Sequence, residues 1–179
     1  MKGIVFTEFL EMVESRYGLE MVNDIIAASQ LKSSGAYTSV GTYDFAEMQE
    51  LIYHLSASLK KDPNDLIYAY GQYFFDHLVR TYPHIFDHYK SAVLLLQSVE
   101  EHIHVQVVKI YPDAELPRFD ISEVKDGRIE MVYTSSRALY MFAYALIERT
   151  FAHYETVSSI SYEKLKEDGT CVKFIIQVE

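Results

Sequence analysis

The chain has 179 residues, and its 16 Lys and Arg against 26 Asp and Glu give a net charge of −10. That length suits one domain that buries its own core without staples, and the acidic balance argues against general binding to phosphate backbones. The one cysteine, Cys171, excludes an internal disulfide and a multi-cysteine zinc site.

Phe6, Phe9, Leu10, Val13 and Tyr17 recur at steps of mostly three and four, which predicts a helix over residues 3–17. Gly18 ends it, and Met21, Val22, Ile25, Ile26 and Leu31 continue as helix over 19–31. A polar loop rich in Ser and Gly follows from Lys32 to Thr42. Residues 44–60 return to helical spacing with Phe45, Met48, Leu51, Ile52 and Leu55. Asp62 then reads as an N-cap, with Pro63 at the first position of a helix that runs to about Leu78. Thr81-Tyr82-Pro83 breaks it. Residues 90–109 predict one long helix with Leu96, Val99, Ile103 and Val107 on a single stripe.

The character changes after Tyr111. Pro112 and Pro117 punctuate a loop, and Phe119–Val124 and Arg128–Tyr133 read as strands around the turn Lys125-Asp126-Gly127. Arg137–His153 predicts a helix, and Val157–Leu165 and Cys171–Val178 predict a second hairpin around Glu167-Asp168-Gly169. The expected class is α+β, with a mostly helical N-terminal part packed on a four-stranded antiparallel sheet. No linker divides the chain, so 1–179 is expected to be a single domain, with Pro112–Pro117 a joint within it at most. No apolar run is long enough to span a bilayer, and the N-terminus lacks a signal peptide's apolar run. The expected location is the cytoplasm, without membrane insertion.

Several chemistries have no signature here. The seven glycines form neither G-x-G-x-x-G nor a Walker loop, and there is no G-x-S-x-G elbow and no H-E-x-x-H. Cys171, in a predicted strand, reads as a core or strand-face thiol rather than a nucleophile. His84 and His88 are spaced as a helical metal pair but have no further ligands at a diagnostic spacing, so they read as surface residues.

Two signals remain. His102 and His104 lie near the end of the predicted 90–109 helix, where the dipole favours them, and point roughly 200° apart. They cannot easily share one metal, but one of them could ligate a metal held by something else, such as a haem iron. His104 has Val107 and Val108 on its face, whereas Ser98 and Gln106 beside His102 suit solvent. The second signal is Tyr133-Thr134-Ser135-Ser136-Arg137. Extended, it places a phenol, a hydroxyl and a guanidinium on one face, a set suited to carboxylates. The same residues also read as a strand end, with Ser135 or Ser136 capping the helix that opens at Arg137.

His104, the loop with Pro117, Tyr133-x-Ser135-x-Arg137 and the N-terminal Met1-Lys2-Gly3 occur in order, and together they resemble the heme-nitric oxide/oxygen binding (H-NOX) domain, similar to the haem domain of soluble guanylate cyclase. The resemblance covers essentially the whole chain, and Tyr-x-Ser-x-Arg is its most specific motif. It implies haem b between the helical part and the rest. His104, in the segment that ends at Ile110-Tyr111-Pro112, would be the proximal iron ligand. Tyr133, Ser135 and Arg137 would hold the propionates, and Pro117 would press on the porphyrin and bend it. Oxygen-binding members place a tyrosine in the helix after the motif, where this chain has Phe142. With Val5, Phe9, Phe74 and Leu146, it would complete an apolar distal pocket. Tyr140 and Tyr144, each two residues from 142, should face elsewhere, and Tyr73 is the one phenol left open. Many standalone members resemble one another in a cysteine-rich zinc site that Cys171 alone cannot supply.

The resemblance therefore implies a haem-based sensor of nitric oxide (and CO), not an enzyme. Its output would pass in trans to a histidine kinase or to a diguanylate cyclase or phosphodiesterase, because the chain has no room for such a domain. An oxygen-binding sensor and a non-haem interaction module are the alternatives.

Overall fold

Gly18 shapes the first element. In the computed structural model, which describes residues 1–179 apart from the side chains of 122–125, α1 spans Gly3–Ala28 and kinks at Gly18, where φ is 86° and ψ 164°. Only glycine adopts that backbone without strain, so the two helical runs read from the sequence join there at a kink. The chain groups into two compact units, Met1–Phe74 and Phe75–Glu179.

In the first unit α1 packs with α2 (Phe45–Leu59). Asp44 caps α2 through an oxygen that accepts the Ala46 N–H at 3.1 Å. Met48, Leu51, Ile52 and Leu55 form its buried face. Buried Glu47 accepts hydrogen bonds from the Ser33 and Tyr37 hydroxyls, which tie the Ser-rich loop to α2. A buried carboxylate needs such donors. Tyr37 also stacks on Phe6, with ring centroids 4.4 Å apart. The loop returns to the N-terminus, where Gly3 N donates to Gly41 O at 2.8 Å. α3 (Pro63–Thr81) opens as its sequence predicts, with the Asp62 carboxylate accepting the Asn64 N–H at 2.7 Å; it extends past the break between the units.

The second unit departs from the sequence reading at 90–109. Instead of one helix there are α5 (Ala92–Gln97), a π-helical turn (Val99–Ile103) and α6 (His104–Ile110). Ile103 N reaches Ser98 O at 3.1 Å, and His104 N reaches Val99 O. Such i→i+5 bonds insert one residue, which rotates everything after them by roughly 100° and breaks the expected stripe. A short helix, α4 (Pro83–His88), precedes this region. Six residues are too few for periodicity to reveal it.

β1 (Arg118–Lys125) and β2 (Arg128–Thr134) form the first hairpin, and β3 (Ser158–Lys164) and β4 (Cys171–Val178) the second. The antiparallel sheet has the order β1-β2-β4-β3, with Phe119 opposite Tyr133 and Tyr133 opposite Val172. α7 (Tyr140–His153) covers one face with Tyr140, Ala143, Ile147 and Phe151, against Ile129, Met131, Val172, Phe174 and Ile176. α7 begins three residues later than the sequence predicts, because Ala138 takes φ 52°. Ser135 therefore caps no helix: its oxygen accepts the Arg137 N–H at 3.2 Å within a turn. The joint expected at Pro112–Pro117 lies inside the second unit. No helix among the described residues is long and apolar enough to cross a membrane. The α+β class and the single four-stranded sheet are as expected.

Candidate functional site

The π-helical turn ends where α6 begins, at His104. The imidazole is largely covered, with 16% of its side chain exposed. Its Nδ1 lies 3.2 Å from Oε1 of Glu100. The same oxygen accepts the Phe119 N–H at 2.7 Å, which ties the turn to the start of β1. Burial draws His104 below the ordinary imidazole pKa, and Glu100 pulls the other way. Because Glu100 takes Nδ1, Nε2 keeps the lone pair a metal would use.

Phe119 links this group to the second signal. Its ring lies 6.0 Å from that of His104 and 5.6 Å from that of Tyr133. Tyr133 is buried at the end of β2, and its hydroxyl meets Ser135 and the backbone of Leu139. Burial pushes its pKa up, so it remains a proton donor. Ser135 N donates to Thr170 O at 2.9 Å, which anchors the motif to the turn before β4. Arg137 donates to the backbone oxygen of Glu115 at 2.7 Å and to that residue's carboxylate. The segment is extended only as far as Thr134; Ser135 and Arg137 lie in the turn that follows, so the three groups are not carried on one strand face. Pro117, half-buried, sits between this Glu115 contact and the start of β1.

The residues expected on the distal side fall in both units. In the first, Val5, Phe9 and Phe74 gather about buried Tyr70. Its ring meets Phe9 at 5.3 Å and Phe74 at 5.7 Å, and its hydroxyl donates to Val5 O at 2.6 Å. In the second, Phe142 and Leu146 are half-buried one turn apart on α7. Tyr140 and Tyr144 turn toward the sheet instead. Both rings pack on Tyr162, and the Tyr144 hydroxyl donates to Ile160 O at 3.2 Å.

His84 and His88 are exposed, as expected. His102 differs from its solvent-facing expectation. It is half-buried, its Nδ1 meets the Tyr89 hydroxyl, and its ring lies 5.4 Å from that of His88. The inserted π residue changes the face that His102 shows. Cys171 is half-buried in β4. Among the described residues no cluster of His, Cys, Asp or Glu could hold a bare metal ion.

A family model described as Haem-NO-binding matches residues 2–162. The chain belongs to the haem-NO-binding family. An H-NOX protein from K. algicida, solved in its unliganded Fe(II) form, is 49% identical, over 100% of this chain and 97% of that one, at a TM-score of 0.96. An H-NOX from Shewanella woodyi, solved in the Fe(II)CO state, is 32% identical over 99% and 94% of the two chains, with a TM-score of 0.84. An H-NOX from S. oneidensis in the Fe(II)NO state shares the fold at 24% identity and a TM-score of 0.92, over 100% and 99%. No curated protein matches the chain. The H-NOX family comprises haem-based gas sensors rather than enzymes.

The donor set here fits the haem that H-NOX domains bind. Nε2 of a single covered histidine suits an iron already held by four ring nitrogens. The Glu115 carboxylate on Arg137 is chemically the same group as a propionate, so the guanidinium is placed for a carboxylate. Sequence reasoning missed Glu100, Glu115, Phe119 and Tyr70. Glu100 stands four residues before His104 and could have been found by that spacing; the other three are brought in only by tertiary packing.

Proposed function

We propose that residues 1–179 form one haem-binding domain, a cytoplasmic sensor that takes nitric oxide (and CO) at haem b and signals in trans to a histidine kinase or a cyclic-di-GMP enzyme. Bound ferrous haem would supply the iron that takes the gas. His104 is the proposed proximal ligand, Tyr133, Ser135 and Arg137 the propionate contacts, and Pro117 the residue that bends the ring. Val5, Phe9, Phe74, Phe142 and Leu146 are the proposed distal wall.

The observation that carries the choice of gas is where two phenols, Tyr70 and Tyr144, direct their protons; Tyr73 is the phenol that the spectra in air must test. Oxygen on ferrous haem carries partial negative charge and calls for a hydrogen-bond donor, whereas nitric oxide binds without one; distal polarity is the protein's lever. Tyr70, the buried phenol among Val5, Phe9 and Phe74, gives its proton to Val5 O, and Tyr144 gives its own to Ile160 O. Phe142 has no proton to give. For output, His104 opens α6, so a change at its ring acts directly on that helix. A partner must bind the two arrangements of α6 with different affinity.

The test is the visible spectrum of the reduced protein, taken without oxygen and then under NO, CO and air. Shifts with NO and CO and no stable oxygen form support the reading. A stable oxygen form overturns the choice of gas, and no haem band after reconstitution overturns the cofactor.

A further inference from the structure

One carboxylate oxygen of Glu100 joins three parts of the second unit. It lies 3.2 Å from His104 Nδ1, it accepts the Phe119 N–H at 2.7 Å, and it belongs to the π-helical turn before α6. A carboxylate can only accept, so the proton between it and His104 sits on Nδ1. That fixes the tautomer, holds the ring against rotation and raises the electron density at Nε2. Outer partners of this kind tune a histidine's strength as a metal ligand. Glu100 has 38% of its side chain exposed, while the ring it serves is mostly covered.

We propose that Glu100 is a positioning residue that sets the orientation and donor strength of His104 toward the haem iron, and thereby how readily NO releases that ligand. The inference rests on the haem reading above and assigns a role to a residue outside the Tyr-x-Ser-x-Arg motif. The Phe119 bond adds a mechanical part. Release of His104 frees a ring whose other nitrogen is still tied, through Glu100, to β1. The carboxylate therefore holds the imidazole near its ligating position and favours recapture.

The test compares wild type with Glu100→Gln and Glu100→Ala as full-length ferrous haem protein. Glu100→Gln keeps an oxygen that can accept from Phe119 N but removes the charge. Resonance Raman should show the iron–histidine stretch falling in both variants, further in Glu100→Ala. Loss of His104 after NO addition should speed by roughly 10–100-fold. A merely structural role for Glu100 would not move the stretch of a fully loaded Glu100→Gln protein. An unchanged stretch and release rate in that variant overturns the inference. Nitrogen-15 NMR of the haem-free full chain tests the same tie separately. Wild-type His104 should carry its proton on Nδ1, and Glu100→Gln should shift the population toward Nε2–H; identical tautomers overturn the proposal. Wild type that takes up no haem overturns the cofactor reading instead, and the NMR comparison still decides whether Glu100 holds the ring.

Discussion

Arg137 donates two hydrogen bonds to one residue, Glu115, at its backbone oxygen and its carboxylate. The guanidinium is mostly covered, at 13% exposed, whereas the Glu115 side chain is 81% exposed. The glutamate thus reaches the covered guanidinium from the solvent side. On the proposed haem reading, a propionate would take the place of this carboxylate on the guanidinium.

Removing the arginine should therefore weaken haem binding. A hydrogen bond to a charged group contributes about 1.5–3 kcal/mol, so Arg137→Ala should lower haem affinity by roughly 10- to 100-fold in titrations of the haem-free protein. Glu115→Ala should raise affinity or leave it unchanged, because it removes a competitor. A loss in Glu115→Ala equal to that in Arg137→Ala would make Glu115 a haem contact instead.

Tyr70 is the buried phenol among the proposed distal residues of the first unit, and burial keeps it protonated. Its proton is committed to Val5 O. Tyr70→Phe should leave the NO, CO and air spectra unchanged while lowering stability by about 1 kcal/mol, the usual worth of one such bond. Denaturant unfolding beside the spectra separates the two effects. A stable oxygen form present in wild type and lost in Tyr70→Phe would show that the proton reaches the gas.

Gly18 carries the kink of α1 at φ 86°, and a Cβ built there would meet nothing within 4 Å. The cost of Gly18→Ala is therefore backbone strain alone, about 1–3 kcal/mol for a position of this kind. Chemical denaturation should read that loss with the fold intact by circular dichroism. Unchanged stability would mean that the helix straightens freely.

Asp44 gives a pH dependence with a fixed sign. The Ala46 N–H, and then Lys32, hold its carboxyl below the ordinary value of 3.8. The folded value lies below the unfolded one, so its contribution is complete above the unfolded pKa and fades as pH falls through the folded one. Wild type should lose stability below about pH 4 more steeply than Asp44→Asn, which still caps α2 but cannot titrate. Parallel acid limbs in thermal melts would contradict this.

Much of the fold was legible because its signals are local. Asp62-Pro63 opens α3, and Asp126-Gly127 takes positive φ at both positions as a tight hairpin turn requires. Val172, Phe174 and Ile176 are buried at period two as the sequence alternates. What was not legible leaves no pattern in the local sequence. The π-helical turn leaves no periodic trace, because a helix-period reading counts 3.6 residues per turn and cannot see one inserted residue. That residue decides which faces His102 and His104 show. At the site, the spacing of Tyr133, Ser135 and Arg137 suggested one extended face, whereas Ser135 and Arg137 lie in a turn after β2. The Glu115 carboxylate reaches Arg137 from 22 residues away, and no local pattern announces it.

His104 is the proposed ligand of the iron. The direct measurement is the reduced spectrum of His104→Gly, with and without added imidazole. Haem binding should collapse in the variant, and free imidazole, filling the space of the lost ring, should restore the wild-type ferrous band. A His104→Gly protein that keeps the wild-type ferrous and NO spectra without imidazole would contradict this assignment and move the ligand elsewhere in the chain.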